Sequence, residues 1–288
     1  MIDLLQTKTE ILETLHSELR DPITKISLSE EVRGNKAKAV NRLVSEIRSR
    51  LAKNVSKLEN DDKPNYALVL QYCCSVVSLE YRHVVWPYEY MAFSRRVGEL
   101  WEGFCSAAWD FPSRPNVKAM AIPSFGAVRK AIADRIEENI GTHGKKAELL
   151  EDTNLLFEII GDINMKEDKV FRVDEIPHVI DFKSGFGSNE KGNMLRLQTV
   201  GRAYRIWDHQ TRLMLLVRQE ENNNYLKVLR RAGLWEVHTG VAAYKQISQL
   251  TGADMQTIRD TIFDWPRDLS PDLVSFLKNA NLMAYLNW

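Results

Sequence analysis

Two nearby parts of the sequence predict the fold, namely Phe157-Glu-Ile-Ile-Gly161-Asp162-Ile-Asn164 and His178-Val-Ile-Asp181-Phe-Lys183-Ser-Gly185. In the second part, charged residues alternate with apolar ones as on a β-strand, and this alternation places Asp181 and Lys183 on one face. Asp162 precedes them at a distance that a hairpin can span. We therefore predict that Asp162 ends one strand and that the next strand returns beside it, so that two carboxylates and one ammonium converge.

Such a group of side chains is suited to cutting a phosphodiester bond. Two carboxylates can hold one or two Mg²⁺ ions through oxygen ligands, and the backbone carbonyl of Phe182 can add another. The metal polarises the phosphoryl group and helps to form hydroxide from water. Lys183 can orient or deprotonate the attacking water, or neutralise charge in the transition state. The predicted metal ligands are Asp162, Asp181 and the Phe182 carbonyl, with Mn²⁺ able to replace Mg²⁺.

The same segment resembles the PD-(D/E)xK nuclease superfamily, which includes type II restriction endonucleases and RecB-like nucleases. In this resemblance Asp162 matches the first acid, Asp181 the second and Lys183 the lysine, while Gly161 stands where a proline is usual. The resemblance covers the order of elements over about residues 90 to 245. It implies an α/β (α+β) fold in which a restriction-endonuclease-like mixed β-sheet is flanked by helices.

Residues on either side of the hairpin extend the resemblance. RecB-type members often carry a Gln followed by a Tyr on the next helix, and Gln198 and Tyr204 match this pattern. Many members also have a glutamate on an earlier helix that completes the metal site. Glu102 lies beside the apolar face of its predicted helix and Glu99 nearly opposite, so Glu102 is the preferred ligand. The resemblance thus implies catalytic roles for Glu102 and Gln198.

Polar residues after the second strand are candidates for contact with DNA. They lie in a glycine-rich loop, on the helix that carries Gln198, and in a polar run after a buried strand. Arginine, glutamine and asparagine can meet phosphates or read base edges. A flexible connection, a solvated helix face and a plain polar loop are the competing interpretations. The residues selected are Lys191, Asn193, Arg202, Arg205, Arg218, Gln219, Asn222 and Asn223.

Hydrophobic periodicity divides the chain into three predicted domains. Residues 1–85 read as an N-terminal helical subdomain, in which Pro22 and the polar residues after it interrupt the first helix. Residues 86–250 form the predicted nuclease core, where strands alternate with helices from the apolar run Leu155–Ile160 onward. Residues 251–288 form a C-terminal helical extension.

Composition limits the remaining function classes. The 288 residues carry 39 Lys plus Arg against 39 Asp plus Glu, so bulk charge does not by itself indicate nucleic-acid binding. The three cysteines, with no histidine at close metal-ligand spacing, argue against a cysteine-based zinc site, and they are too few for a four-cysteine cluster. We find no phosphate-binding Walker loop, signal peptide or apolar run of membrane-spanning length. We therefore expect a cytoplasmic protein without nucleotide cofactor or membrane partner.

The combined expectation is a type II restriction endonuclease. It would hydrolyse double-stranded DNA at a specific sequence with Mg²⁺, as a homodimer that cuts both strands. One alternative keeps the fold but makes the protein a RecB-like exonuclease or DNA-repair nuclease. The other alternative is a noncatalytic nucleic-acid-binding subunit with a nuclease-like fold.

Overall fold

The structure, a computed structural model, describes residues 2–141, 144–185, 191–220 and 224–288. These residues form a mixed α/β structure that divides into two compact units. The first unit consists of the residues up to Pro115 together with Val241–Trp288. The second unit is Asn116–Gly240 and contains the whole β-sheet.

The helices and strands are numbered in chain order. They are α1 (Leu4–Leu28), α2 (Arg33–Ala52), α3 (Lys63–Val85), α4 (Tyr90–Ala107), β1 (Val117–Ala119), α5 (Phe125–Ile140), α6 (Lys146–Ile160), β2 (Lys169–Val173), β3 (Ile176–Lys183), α7 (Lys191–Trp207), β4 (Arg212–Val217), α8 (Asn224–Ala232), β5 (Glu236–Thr239), α9 (Val241–Thr251), α10 (Met255–Ile262), α11 (Trp265–Asp268) and α12 (Pro271–Asn279). Short 3₁₀ segments occupy Lys53–Lys57 and Met283–Leu286.

The first unit is a helical assembly around α3. This helix is apolar on all sides over Ala67–Leu79 and is buried there because α1, α2, α4 and α10 pack against it. The compact units differ from the predicted domains 1–85, 86–250 and 251–288, since α4 and α9 belong with the helices of the first unit. No helix in the described part of the chain is long and apolar enough to cross a membrane.

The sheet of the second unit has the strand order β1-β2-β3-β4-β5. The β1–β2 and β2–β3 pairs are antiparallel, whereas β3–β4 and β4–β5 are parallel. Asp174 and Glu175, with φ of 50° and 65°, form a two-residue turn between β2 and β3. Positive φ at both central residues is the backbone of a tight hairpin turn, which fixes the register of these two strands.

Helix α7 forms the crossover that parallel pairing of β3 and β4 requires. Its buried face packs into an apolar core that also includes β4 and Trp235. Trp235 Nε1 donates a hydrogen bond to the carbonyl of Leu197 on α7 at 2.9 Å. Gly201 lies at the closest approach, because a Cβ atom there would be 2.7 Å from Trp235 Nε1. This packing holds the first half of α7 beside the end of β3.

Two expectations about single elements were wrong, and one strand was not expected. Helix α1 continues through Pro22, because the buried line Leu15, Leu19 and Ile23 carries on across it. The apolar run Leu155–Ile160 belongs to α6 rather than to a strand, with Phe157 as the buried residue of that helix. The three-residue strand β1 was not predicted, since so short an edge strand leaves little periodic signal.

Candidate active site

Charged side chains of the second unit gather where β2 begins and β3 ends. Glu167 and Asp168 precede β2, Asp181 and Lys183 lie on β3, and Arg196 lies on α7. Asp181 is the centre of the group and only 2% exposed. Its Oδ1 is 2.5 Å from Lys183 Nζ and its Oδ2 is 2.6 Å from Arg196 Nη2. We call these five residues the charged cluster.

The hairpin register decides which acid stands opposite Asp181. Lys169 pairs with Ile180 in the antiparallel ladder, so one further step places Asp168 opposite Asp181 on the same face of the sheet. Asp168 Oδ2 accepts a hydrogen bond of 2.7 Å from the Phe182 backbone N–H. Burial and the charge of Asp181 raise the pKa of Asp168, although that hydrogen bond opposes the shift.

Asp162 does not take the place that the sequence analysis gave it. Helix α6 extends to Ile160 and ends at Gly161, whose φ is 74°, so Asp162 follows a helix and not a strand. Its side chain is 80% exposed and pairs with Arg129 of α5 at 2.8 Å. The prediction of a strand ending at Asp162 is wrong. The acids that reach Asp181 are Glu167 and Asp168 instead.

Arg196 bridges the two most deeply buried carboxylates. Its Nη1 donates to Glu167 Oε1 at 2.7 Å, and its Nη2 lies 3.2 Å from Glu167 Oε2 and 2.6 Å from Asp181 Oδ2. The side chains of Glu167 and Asp181 are 0% and 2% exposed, whereas that of Arg196 is 39% exposed. Without a cation between them, two buried carboxylates would repel strongly.

The pKa values of the two carboxyl groups are therefore shifted in opposite directions. Burial raises the pKa of Glu167 to about 9, and the hydrogen bond and charge of Asp181 add to this, although Arg196 opposes it. Burial also acts to raise the pKa of Asp181, but the hydrogen bond from Glu167 and the charge of Lys183 bring it below its usual value. The pair therefore keeps a proton to a higher pH than an isolated carboxyl group would.

Lys183 is held on the same strand face as Asp181, as strand alternation predicted. Its Nζ also donates to the backbone carbonyl of Phe182 at 3.1 Å. Burial acts to lower the pKa of Lys183, but the contact with Asp181 outweighs it and the net shift is upward. A lysine with a raised pKa remains protonated, so Lys183 is suited to electrostatic stabilisation rather than to removing a proton from water.

The donors of the charged cluster fit a hard divalent cation in kind, because they are carboxylate oxygens. Asp181 Oδ1 is buried and accepts no hydrogen bond of good geometry, in spite of its close ionic contact with Lys183. In the described residues, however, no three His, Cys, Asp or Glu side chains are arranged to hold a metal together. The reason lies within the cluster, since Arg196 stands between Glu167 and Asp181 and Asp168 turns to the backbone.

The helix α7 meets the cluster through Arg196 and not through Gln198. Residues two apart on a helix point to different sides, and Gln198 is partly exposed. Tyr204 has a structural contact, because its hydroxyl donates to the Met165 carbonyl at 2.7 Å. This bond anchors the segment that leads into Glu167. A catalytic part for Gln198 stays a prediction.

The two glutamates considered on the earlier helix belong to the first unit. Glu99 forms ion pairs with Arg95 at 3.2 Å and Arg96 at 3.1 Å on α4, as expected of a solvated helix residue. Glu102 is partly buried on the same helix. Because all members of the charged cluster come from the second unit, the part of Glu102 as a ligand stays a prediction.

Two of the DNA-contact candidates lie next to the end of β3. Lys183 pairs with Val217 in the parallel ladder. Arg218 and Gln219 therefore follow β4 beside the carboxyl end of β3. The Arg218 backbone N–H donates to the Lys183 carbonyl at 2.9 Å, and a Cβ atom on Gly185 would collide with Gln219 Oε1. Ligands of parallel sheets generally bind beyond the carboxyl ends of the strands.

The remaining candidates are distributed differently. Lys191 and Arg202 are exposed on α7, and Arg205 Nη1 donates to the His209 carbonyl at 2.8 Å. Asn193 lies near Arg196, with Oδ1 3.5 Å from its Nε. The two remaining residues, Asn222 and Asn223, lie outside the described residues.

The sequence analysis did not identify Glu167 and Asp168 as acids near Asp181, although the sequence contained a signal for them. Lys166-Glu-Asp-Lys169 directly precedes the β-rich run Val170–Val173. Centring a two-residue turn on Asp174 and Glu175 would have placed Asp168 opposite Asp181. Arg196 gave no comparable signal, since its contact depends on how α7 packs against the sheet.

Comparison with known proteins gave no match. Neither a protein-family profile, nor a curated protein, nor a solved structure matched this chain.

Proposed function

We propose that this chain is a magnesium-dependent DNA endonuclease of the PD-(D/E)xK type and that its second unit has a restriction-endonuclease-like fold. The observation that carries the proposal is the buried pair Glu167 and Asp181 beside Lys183 at the end of β3. A mixed sheet flanked by helices, with an acid–x–lysine strand in its hairpin, supports the same family. Fold likeness alone would not carry a function.

Each residue of the cluster has a part in the proposed reaction. Asp181 and Glu167 are the principal ligands for Mg²⁺, or for Mn²⁺ in its place, and Asp168 lies within the same group. The bound ion supplies a Lewis acid and a source of hydroxide. Lys183, kept positively charged by Asp181, stabilises negative charge on the phosphate as it develops.

The proposed substrate is double-stranded DNA. Arg218 and Gln219 lie at the same sheet edge as Lys183 and are of the kinds that contact phosphates and base edges. One cluster serves one strand, so cutting both strands calls for two copies related by a two-fold axis. We therefore propose a homodimer that acts as a type II restriction endonuclease in the cytoplasm.

The test is digestion of closed circular DNA of known sequence with Mg²⁺, followed by mapping of the ends. Discrete fragments are expected. Asp181→Asn and Asp168→Asn should each slow cleavage by roughly 10²–10³-fold, as when one group of a preorganised charged site is lost. Asp162→Asn is the matched control and should cleave like the wild type. Full cleavage by Asp181→Asn, or loss of cleavage only in Asp162→Asn, would contradict the assignment.

Two other results would select the alternatives. Cleavage that begins only once an end is supplied would indicate a RecB-like exonuclease or repair nuclease, which the Gln198 and Tyr204 pattern favours. Absence of both cleavage and Mn²⁺ binding would indicate a noncatalytic DNA-binding subunit. The contact of Arg196 with both carboxylates is the observation that favours this last alternative.

A further inference from the structure

We propose that Arg196 is a built-in cation that holds the metal position between Glu167 and Asp181, and that it leaves these carboxylates when a divalent ion binds. The inference rests on the proposed function, since it concerns the same cluster. It adds regulation to that function, because the arginine and the metal exclude each other.

Arg196 occupies most of the carboxylate oxygen atoms that a metal ion would use. Three of the four carboxylate oxygens of Glu167 and Asp181 accept from its guanidinium, at 2.7, 3.2 and 2.6 Å. The fourth, Asp181 Oδ1, is 2.5 Å from Lys183 Nζ. A metal ion bound by this pair needs the positions that the guanidinium now holds. A guanidinium and a divalent ion side by side would also repel each other strongly where water is scarce.

The Arg196 side chain also has room to move. Its side chain is 39% exposed, whereas those of Glu167 and Asp181 are 0% and 2% exposed. Asp181 is held by strand β3, and the Tyr204–Met165 hydrogen bond anchors the segment before Glu167. The long arginine side chain can turn outward without disturbing either element. A phosphate of bound DNA is then a suitable partner for its planar fork of donors.

The first experiment measures Mn²⁺ binding by calorimetry on the full chain without DNA. Wild type, Arg196→Gln and Arg231→Gln are compared at one pH. Arg196→Gln should bind Mn²⁺ about tenfold more tightly than the wild type, within the usual range for coupling between two binding events. Arg231→Gln removes an exposed arginine from α8 of the same unit and should leave the affinity unchanged.

A second variant and a second measurement cover the case in which Arg196→Gln does not fold. Arg196→Lys keeps the charge but cannot bridge two carboxylates with one planar group, so its Mn²⁺ affinity should lie between those of the wild type and Arg196→Gln. In the wild type, the side-chain N–H resonance of Arg196 should shift and exchange faster with water as Mg²⁺ saturates the protein. An unchanged resonance at saturating Mg²⁺ would overturn the inference.

The outcomes separate this inference from the proposed function. If the wild type binds Mn²⁺ and folded Arg196→Gln binds it equally or more weakly, the inference is contradicted and the nuclease proposal is unaffected. Failure of both proteins to bind Mn²⁺ removes the nuclease proposal and the inference with it. Binding by Arg196→Gln alone overturns the displacement of Arg196, because the arginine then stays on the carboxylates, and identifies the wild-type chain as the noncatalytic alternative.

Discussion

At the scale of single residues, burial changes the charge that a carboxyl group carries, both inside and outside the charged cluster. Burial raises the pKa of Glu167 although Arg196 lies beside it. Glu80 on α3 is a second case, because its Oε2 is buried and accepts no hydrogen bond from the described residues. Burial raises the pKa of Glu80 to about 7, and a backbone hydrogen bond from Ser270 opposes this only in part.

Glu80 predicts a specific dependence of stability on pH. Its folded-state pKa lies above the unfolded value, so its stabilising contribution is present below pH 4.5 and is lost as pH rises to about 7. We expect wild type to lose about 1–2 kcal/mol relative to Glu80→Gln across this window, a value reduced for screening at a partly exposed group. Urea unfolding of both proteins at pH 4.5 and 7 measures the difference. Parallel profiles for the two proteins would contradict it.

At the scale of elements, a buried ion pair links the two ends of the chain within the first unit. Lys8 of α1 lies 2.9 Å from Asp268 of α11, with side chains only 10% and 6% exposed. Tyr72 of α3 donates to the same carboxylate at 2.6 Å, and Lys8 Nζ also donates to the Ile262 carbonyl at 3.0 Å. Every charge in this group therefore has a partner, as buried charges require.

Removing one charge from that group should be costly. In Asp268→Asn the Lys8 ammonium stays buried without its counter-charge, and we expect a loss of about 3 kcal/mol in the free energy of unfolding. Asp260→Asn changes an exposed carboxylate on the neighbouring helix α10 and should stay within about 0.5 kcal/mol. Chemical denaturation measures both. Equal losses in the free energy of unfolding for the two variants would show that the buried ion pair stabilises the protein no more than an exposed carboxylate does.

The close approach of α7 to its neighbours predicts a second effect on an element. A methyl group at Gly201 would meet Trp235 Nε1 at 2.7 Å and Leu234 Cδ2 at 2.9 Å, so α7 must shift outward. We expect Gly201→Ala to cost about 1–3 kcal/mol through overpacking. Thermal unfolding checks this, with Gly192→Ala, where the added Cβ meets no atom within 4 Å, as the control. An unchanged thermal stability of Gly201→Ala would mean that α7 is packed loosely.

At the scale of the whole molecule, the second unit has its own apolar core. The core cluster extends from Phe125 to Trp235 and draws all its members from within Asn116–Gly240. The residues of the charged cluster come from the same range. Separate cores are the physical basis for independent folding units.

We therefore expect a fragment of residues 116–240 to fold without the helical unit. It should show a cooperative thermal transition and a near-ultraviolet circular dichroism signal from its buried tryptophan and tyrosine side chains. The corresponding fragment with Leu215→Asp, a change at a fully buried strand position, is the unfolded reference. A fragment that resembles this reference would show that the unit depends on the rest of the chain.

The sequence alone predicted the structural features that depend on neighbouring residues. Strand alternation put Asp181 and Lys183 on one face, and periodicity located β3, β4 and α7, because neighbouring residues determine those patterns. It failed for α6, since a short apolar run is compatible with either a strand or a buried helix segment. Because a strand was predicted there, Asp162 was placed among the predicted metal ligands.

The tertiary structure decided which charges meet. The hairpin turn at Asp174 and Glu175 set a register that brings Asp168 to Asp181, and the packing of α7 brought Arg196 between Asp181 and Glu167. Neither contact follows from local periodicity, because each joins residues from different elements and depends on the distance between those elements. Local pattern is enough to specify the acid–x–lysine strand, whereas the residues that contact its charged side chains are set only by folding.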